Sequence, residues 1–103
     1  MPKVRLFVAY HQPPDPEPFF AHYENVHVAL AQAIPTLESF EWSTLMPSPT
    51  GDPAPYALIA ELTFASMDDF GAGMASPEGQ AAAADVGNFA VNGAEMFVSE
   101  VRD

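Results

Sequence analysis

Eleven prolines divide this chain of 103 residues into short segments. Three of them fall at positions 13–16, one stands at position 35, and four more fall at positions 47–55. Proline has no backbone N–H and fixes φ near about −65°, so neither a helix interior nor a central strand continues through such a cluster. The sequence therefore predicts short elements joined by turns, and residues 47–55 predict a long exposed loop between two strands.

Four of the segments carry the pattern of a strand. Apolar side chains alternate with a period of two, and β-branched and aromatic residues are frequent. In the first segment the even-numbered residues from Val4 to Tyr10 share one face, whereas Phe7 and Ala9 share the other. The predicted strands are residues 3–10, 39–46, 56–64 and 95–101.

Two further segments carry the pattern of a helix. Residues 17–34 have apolar side chains at three- and four-residue steps, and Pro35 ends the pattern. In the second, Ser66 and Ser76 are both placed to cap a helix N-terminus, and Gly87 is placed to end the segment. We therefore predict one long helix and a second helix in two pieces.

The resulting order is βαββαβ, which predicts an α+β fold. Right-handed crossovers place both helices on one face of a four-stranded antiparallel sheet, as in a ferredoxin-like sandwich. A length of 103 residues suits a single domain, 1–103, so a second half of an active site has to come from another subunit. Bulky apolar residues on both faces of the strands predict that the bare face pairs with a second copy into an α+β barrel.

Composition excludes several classes of function. The chain has no cysteine, so disulfides, thiolate metal sites and cysteine nucleophiles are ruled out. A formal net charge of −11 disfavours binding to nucleic acid, to anionic lipid or to a phosphate-rich cofactor, and it favours a neutral ligand. No apolar run approaches the roughly 18 residues of a membrane span, and the N-terminus alternates like a strand. We therefore expect a cytoplasmic protein with no membrane partner.

His27 is the main candidate for chemistry. On a wheel of about 100° per residue, it lies about 40° from the centre of the apolar stripe of the first helix, whereas His22 lies about 100° away. That stripe comprises Phe19, Tyr23, Val26, Leu30 and Ile34. His27 should face the sheet and His22 should be solvated. An inward histidine can transfer protons near neutral pH, but it can equally be structural, bonded to a backbone carbonyl or to Glu61.

Other candidates are aromatic. Tyr23 lies one turn before His27 and can orient a ligand oxygen, although a core tyrosine is the plainer interpretation. Phe40, Trp42 and Phe64 can line an aromatic pocket or simply pack the core. Three histidines within 17 positions show no metal-ligand spacing, so no metal site is predicted.

Residues 19–30, with the sequence FFAHYENVHVAL, resemble the start of the EthD family, which is named after a protein of ethyl tert-butyl ether degradation. Tyr23 stands where the family often has tryptophan, His27 matches the family histidine, and Ala29 replaces the usual proline. Pro35 and Phe40 continue the pattern. Residues 56–64, 76–80, 85, 88–89 and 96–98 also match, so the likeness covers nearly the whole chain.

The resemblance implies a dimeric α+β barrel, whose relatives include monooxygenases, isomerases and cyclases that act on aromatic or lactone substrates without metal. Our hypothesis is that a small hydrophobic or aromatic molecule binds between the first helix and the sheet, with His27 transferring a proton, Tyr23 orienting an oxygen, and no cofactor. The predicted ligand-binding residues are Phe7, Phe19, Phe40, Trp42, Glu61 and Phe64. The alternative is a non-catalytic accessory or binding protein of an oxidative degradation pathway, in which His27 is structural. Haem binding through a lone histidine also occurs among barrel relatives, but no second feature of this chain favours it.

Overall fold

The computed structural model describes residues 2–102. Its four strands, β1 to β4 in chain order, are Val4–Tyr10, Leu37–Thr44, Leu58–Phe64 and Ala94–Glu100. They form one sheet in the order β2-β3-β1-β4, and every neighbouring pair is antiparallel. The helices lie on one face of this sheet, which confirms the predicted ferredoxin-like α+β fold.

The predicted first helix is a continuous run of three helical segments. These are α1 (Pro16–His22), a π-helical turn (Tyr23–His27) and α2 (Val28–Gln32). The second helix is in two pieces, as predicted: α3 is Met67–Ala75 and α4 is Pro77–Phe89. Ser66 Oγ accepts the N–H of Asp69 at 3.1 Å, and Ser76 Oγ accepts the N–H of Gly79 at 3.0 Å, so both serines are N-caps. No helix within residues 2–102 has the length and apolarity needed to cross a membrane.

Gly87 does not end the last helix, so that prediction is wrong. The helix continues through Gly87 to Phe89, and the chain reverses at Gly93, whose φ is +83°. Glycine adopts a positive φ without strain, which side-chain-bearing residues rarely do. A glycine inside a helix costs only its low helix propensity, so it does not have to end the helix. The strand bounds also differ from the prediction: β2 begins earlier, at Leu37, with a bulge before Ser39, and ends at Thr44.

The helix-facing side of the two central strands forms the core. Val4, Leu6, Val8 and Tyr10 of β1, and Leu58, Ala60, Leu62 and Phe64 of β3, are all buried. The edge strands are less covered, and Met96 and Val98 on β4 remain about half exposed, at 52% and 51%. The helices therefore cover the centre of the sheet and leave its β4 edge open.

The outer face of the sheet carries no helix and is mixed in character. Phe7 pairs across β1 and β4 with Phe97, which is 50% exposed. On the opposite side Phe7 pairs with Glu61, whose neighbour on β2 is Glu41. The expectation of an apolar outer face is therefore right at Phe7 and Phe97 but wrong along β2, where Ser39, Glu41 and Ser43 are exposed.

The two pieces of the second helix pack too closely for a side chain at Gly79. A Cβ there would clash with the Gly73 carbonyl oxygen and would lie 2.9 Å from Met74 Cα. Both are backbone atoms that cannot move aside alone. Gly79→Ala should lower the free energy of unfolding by at least about 2 kcal/mol in urea denaturation.

Gly87→Ala is the matched control, because Gly87 is also in α4 and a Cβ there has no heavy atom within 4 Å. This control should raise the free energy of unfolding by about 0.5–1 kcal/mol. Equal effects at the two positions would contradict the packing argument.

Candidate functional site

The π-helical turn sets which residues of the first helical run face the core. Val28 N–H bonds to Tyr23 O, five residues back, so the turn is wider than an α-helical one. Phe19, Tyr23, His27 and Ala31 are consequently all buried at four-residue spacing. His27 is 6% exposed and faces inward as predicted, whereas Val26 is 41% exposed. The predicted place of Val26 in the apolar stripe is therefore wrong, because the helical wheel assumed α-helical geometry throughout.

His27 is held by partners on two other elements. Its Nδ1 lies 2.9 Å from Asp85 Oδ2 on α4, and its Nε2 lies 3.3 Å from the Tyr10 hydroxyl on β1. Asp85 also accepts from Asn88 Nδ2 at 3.0 Å and bonds to His22 Nε2 at 2.9 Å. The side chains thus form one hydrogen-bonded chain, from Tyr10 through His27 and Asp85 to His22. Glu61, the partner considered for His27 in the sequence, takes no part in it.

The environment sets the protonation of this chain. Burial lowers the pKa of His27, and the hydrogen bond and charge of Asp85 offset this only in part. Burial alone would raise the pKa of Asp85, but hydrogen bonds from Asn88, His22 and His27 outweigh it and hold the pKa below its ordinary value. Burial, followed by the charge of Asp85, raises the pKa of Tyr10 far above its ordinary value.

These directions define the state of each group at neutral pH. Asp85 is ionised and accepts only, so the neutral His27 ring carries its proton on Nδ1 and leaves a lone pair on Nε2. Tyr10 stays protonated and donates to that lone pair. The arrangement presents one base and one hydrogen-bond donor side by side.

Tyr10 and His27 both line a cavity of about 70 Å³ between the sheet and the helices α2 and α4. Apart from Tyr10 and His27 its lining is apolar, and includes Leu6, Val8, Ile34, Phe40, Met74 and Met96. A water needs roughly 10–15 Å³ measured in this way, so the cavity has room for a small organic molecule.

The structure separates the other predicted site residues. Phe40 lines the cavity, whereas Phe19 and Trp42 pack on Tyr23 behind it, with ring centroids 6.4 and 5.0 Å away. Phe64 packs on Phe70, and Phe7 and Glu61 lie on the outer face of the sheet. Their predicted ligand contacts would therefore need a ligand outside this cavity.

Tyr23 is fully buried but does not line the cavity. Within residues 2–102 its hydroxyl has no hydrogen-bond partner. Its ring packs between Tyr10 and Trp42, at 5.6 and 5.0 Å. Tyr23 therefore supports the site by packing, and the tyrosine that lines the cavity is Tyr10.

Sequence reasoning missed Tyr10, Asp85 and His22 as members of the site. The signal for Asp85 was its spacing, because Ala82, Asp85 and Phe89 recur at three- and four-residue steps on the buried face of α4. An acid on an apolar helix stripe requires a partner. His22 was expected to be solvated, but its side chain is only 29% exposed because it is bonded to Asp85.

In the part of the chain that the structure describes, no three His, Asp or Glu side chains converge so as to hold a metal ion. His22, Asp85 and His27 direct their polar atoms at one another, and these hydrogen bonds use the atoms that would coordinate a metal.

Comparison with known proteins identifies the family. The sequence model of the EthD domain matches residues 11–93. This chain belongs to the EthD family. The EthD chain is 42% identical over 96 residues to an uncharacterised 11.0 kDa protein in the thcB–thcC intergenic region of Rhodococcus erythropolis, covering 93% of this chain and 92% of that one. An EthD family protein from Bacillus halodurans superposes with a TM-score of 0.91 at 28% identity, covering 97% and 99% of the two chains.

More distant proteins share the fold of this EthD domain. A hydroxynitrile lyase from Passiflora edulis has a TM-score of 0.79 at 17% identity, covering 99% of this chain and 95% of that one. A protein of unknown function from Thermobifida fusca, described as dimeric and ferredoxin-like, has a TM-score of 0.73 at 15% identity and covers 97% and 92% of the chains. At these identities the likeness is one of fold alone.

The lowered pKa of His27 predicts how stability depends on pH. Between the ordinary value of 6.5 and the lower folded value, the unfolded chain binds a proton at this histidine that the folded chain does not. The free energy of unfolding should therefore fall as pH decreases through this window. Urea denaturation at about pH 7.5 and about pH 5 measures the difference.

His27→Gln should reduce this pH dependence, whereas His11→Gln should preserve it, because His11 lies at the surface and bonds to Glu95. The interpretation fails if both variants retain the full difference between the two pH values.

Proposed function

We propose that this EthD protein catalyses proton transfer on a small, neutral, hydrophobic carbonyl compound, with His27 as the general base and without a cofactor. The observation that supports this most directly is the adjacency of His27 Nε2 and the Tyr10 hydroxyl, 3.3 Å apart, at one wall of an apolar cavity. A base next to a hydrogen-bond donor suits abstraction of a C–H proton beside a carbonyl group.

Asp85 gives His27 the right tautomer for this role. The carboxylate accepts a hydrogen bond from Nδ1–H, with Nδ1 and Oδ2 2.9 Å apart, and so leaves Nε2 unprotonated. It also stabilises the imidazolium that forms when Nε2 takes a proton. Because burial keeps His27 neutral at rest, the base is in its active form at neutral pH. The dyad is therefore suited to accept a proton in a dry site.

Tyr10 supplies the second element, a donor for the substrate oxygen. Its raised pKa keeps the hydroxyl protonated, so the proton that it donates to His27 Nε2 at rest can turn to the substrate oxygen and stabilise the negative charge of an enolate. In this proposal Tyr10 has the role that the sequence suggested for Tyr23, because only Tyr10 reaches the cavity.

The lining favours a neutral ligand. Apart from His27, the residues that line the cavity carry no ionisable cation, and the chain has a net charge of −11. An anionic substrate would enter without a counter-charge, at a large cost in desolvation.

Deuterium exchange tests the proposal without knowledge of the natural substrate. Small ketones from acetone to acetophenone are incubated with the protein in D₂O, and loss of the α-proton signal is followed by NMR. The wild type should accelerate exchange of at least one ketone that binds. Binding without exchange would instead support the alternative of a non-catalytic binding or accessory protein.

His27→Gln should lower the exchange rate by about 10²- to 10⁴-fold, because it removes the base. His11→Gln is the matched control for loss of a histidine, and it should leave the rate unchanged. Tyr10→Phe should lower the rate more than Tyr23→Phe does, since Tyr10 bonds to His27 and lines the cavity, whereas Tyr23 does neither. The reverse order would return the oxygen-orienting role to Tyr23.

We further propose that two copies pair through the outer sheet face into an α+β barrel. The face carries Phe7 and the half-exposed Phe97 together, and it also carries Lys3 and Arg5, two of the three basic residues of the chain, beside Glu41 and Glu61. In a two-fold symmetric dimer this face contacts the same face of the second copy. The phenylalanines of the two copies would then be buried together, and the basic side chains of one copy would lie near the glutamates of the other.

Phe97→Asp should convert the dimer into a monomer, because it places a charge at the centre of the apolar patch. Sedimentation at micromolar concentration should give about twice the chain mass of 11.1 kDa for the wild type and a single chain mass for the variant. Val91→Asp, at an exposed valine outside the sheet, should leave the dimer intact. A monomeric wild type would contradict the proposal.

A further inference from the structure

One carboxylate serves two histidines. Asp85 Oδ2 lies 2.9 Å from His27 Nδ1, and Asp85 Oδ1 lies 2.9 Å from His22 Nε2. His22 is also within 3.1 Å of Oδ2. A single negative charge is therefore shared between two imidazole rings from α1 and the π-helical turn.

The two rings differ in their access to solvent. The side chain of His27 is 7% exposed, whereas that of His22 is 29% exposed and borders a surface hollow of about 280 Å³ between α1 and the end of α4. His22 stacks on Phe89 at 5.2 Å, and its Nδ1 makes no hydrogen bond to residues 2–102. Protons from bulk water thus reach His22 directly, while His27 lies behind it.

We propose that His22 is a positioning residue that couples bulk pH to the base His27 through their shared partner Asp85. When His22 is protonated, its charge neutralises Asp85, and a second proton on His27 is disfavoured. When His22 loses that proton, Asp85 supports His27 alone, and His27 becomes a stronger base. Because both rings bond to this one carboxylate, a proton on either ring disfavours a proton on the other.

The other groups around this pair do not replace the coupling. Asn88 donates to Asp85 but is neutral, and Tyr10 on β1 stays protonated beside His27. Asp15 borders the same surface hollow as His22 and adds a negative charge there. The positive charge of His22 lowers the pKa of His27, in the direction that the geometry requires.

The consequence for catalysis rests on the proposed function, but the coupling itself does not. If His27 is the base, acidification lowers its basicity through the charge on His22 as well as through its own protonation. The rate therefore falls over a wider pH range than it would for an isolated histidine. The rate of ketone exchange should then rise with pH over a broader range in the wild type than in a His22 variant.

NMR titration of the imidazole resonances tests the coupling in the absence of any ligand. In the wild type, the His22 signals should respond to the titration of His27 as well as to their own. In His22→Gln, the midpoint of the His27 titration should move upward by at least roughly 0.5 pH unit, because a like charge is removed. His11→Gln, the matched control, should leave this midpoint unchanged.

Asp85→Asn tests whether Asp85 carries the coupling between His22 and His27, since it retains the shape of the side chain while removing the charge. In that background His22→Gln should shift the His27 midpoint less than it does in the wild type. An unchanged His27 midpoint in His22→Gln would overturn the inference. So would wild-type His22 signals that do not change when His27 is titrated. Loss of ketone exchange with the coupling intact would count against the proposed function alone.

Discussion

The hydrogen bond between His27 and Asp85 is the interaction on which the rest of the site depends. Within residues 2–102 these are the two buried polar or charged side chains apart from the tyrosines, and they bond to each other at 2.9 Å. Removing Asp85 would leave His27 Nδ1 buried without its partner, and removing His27 would take one of three hydrogen-bond donors from the buried Asp85. Either loss costs more than losing an exposed pair. The bond also joins the first helical run to α4, so it links the two halves of the βαββαβ chain.

The π-helical turn is what allows that contact. A regular α-helix would rotate residues four apart gradually off the core face, whereas the wider turn keeps Tyr23 and His27 on one side. Tyr10, Tyr23 and His27 then pack around Phe89, with ring centroids 5.4, 5.7 and 5.0 Å from it. Side chains packed this closely have few alternative rotamers, so His27 and Tyr10 are held in fixed positions.

The order of elements, the sheet and the inward position of His27 could be predicted from the sequence, because period-two alternation and helical spacing are local signals. The identity of the partners could not. Asp85 is 58 residues from His27 and Tyr10 is 17 residues from it, so only the tertiary fold brings them together. The exposure of Val26 escaped prediction for a different reason, since a 100° wheel contains no π-helical turn. The prediction that Gly87 ends the last helix failed because glycine is tolerated inside a helix. A positive φ, as at Gly93, is the feature that favours glycine strongly.

The open β4 edge relates the cavity to the proposed dimer. Met96 lines the cavity and is also 52% exposed, so the cavity reaches the surface between β4 and α4, where Ala83 and Val86 complete the wall. This opening is on the helix side of the sheet, whereas Phe7, Phe97 and the basic residues lie on the outer side. Pairing through the outer face would therefore leave each entrance open, and each protomer would keep its own base and donor. His22 is joined to His27 through Asp85 at Nδ1, whereas Tyr10, which lines the cavity, bonds to Nε2, so the two ring nitrogens of His27 face different partners.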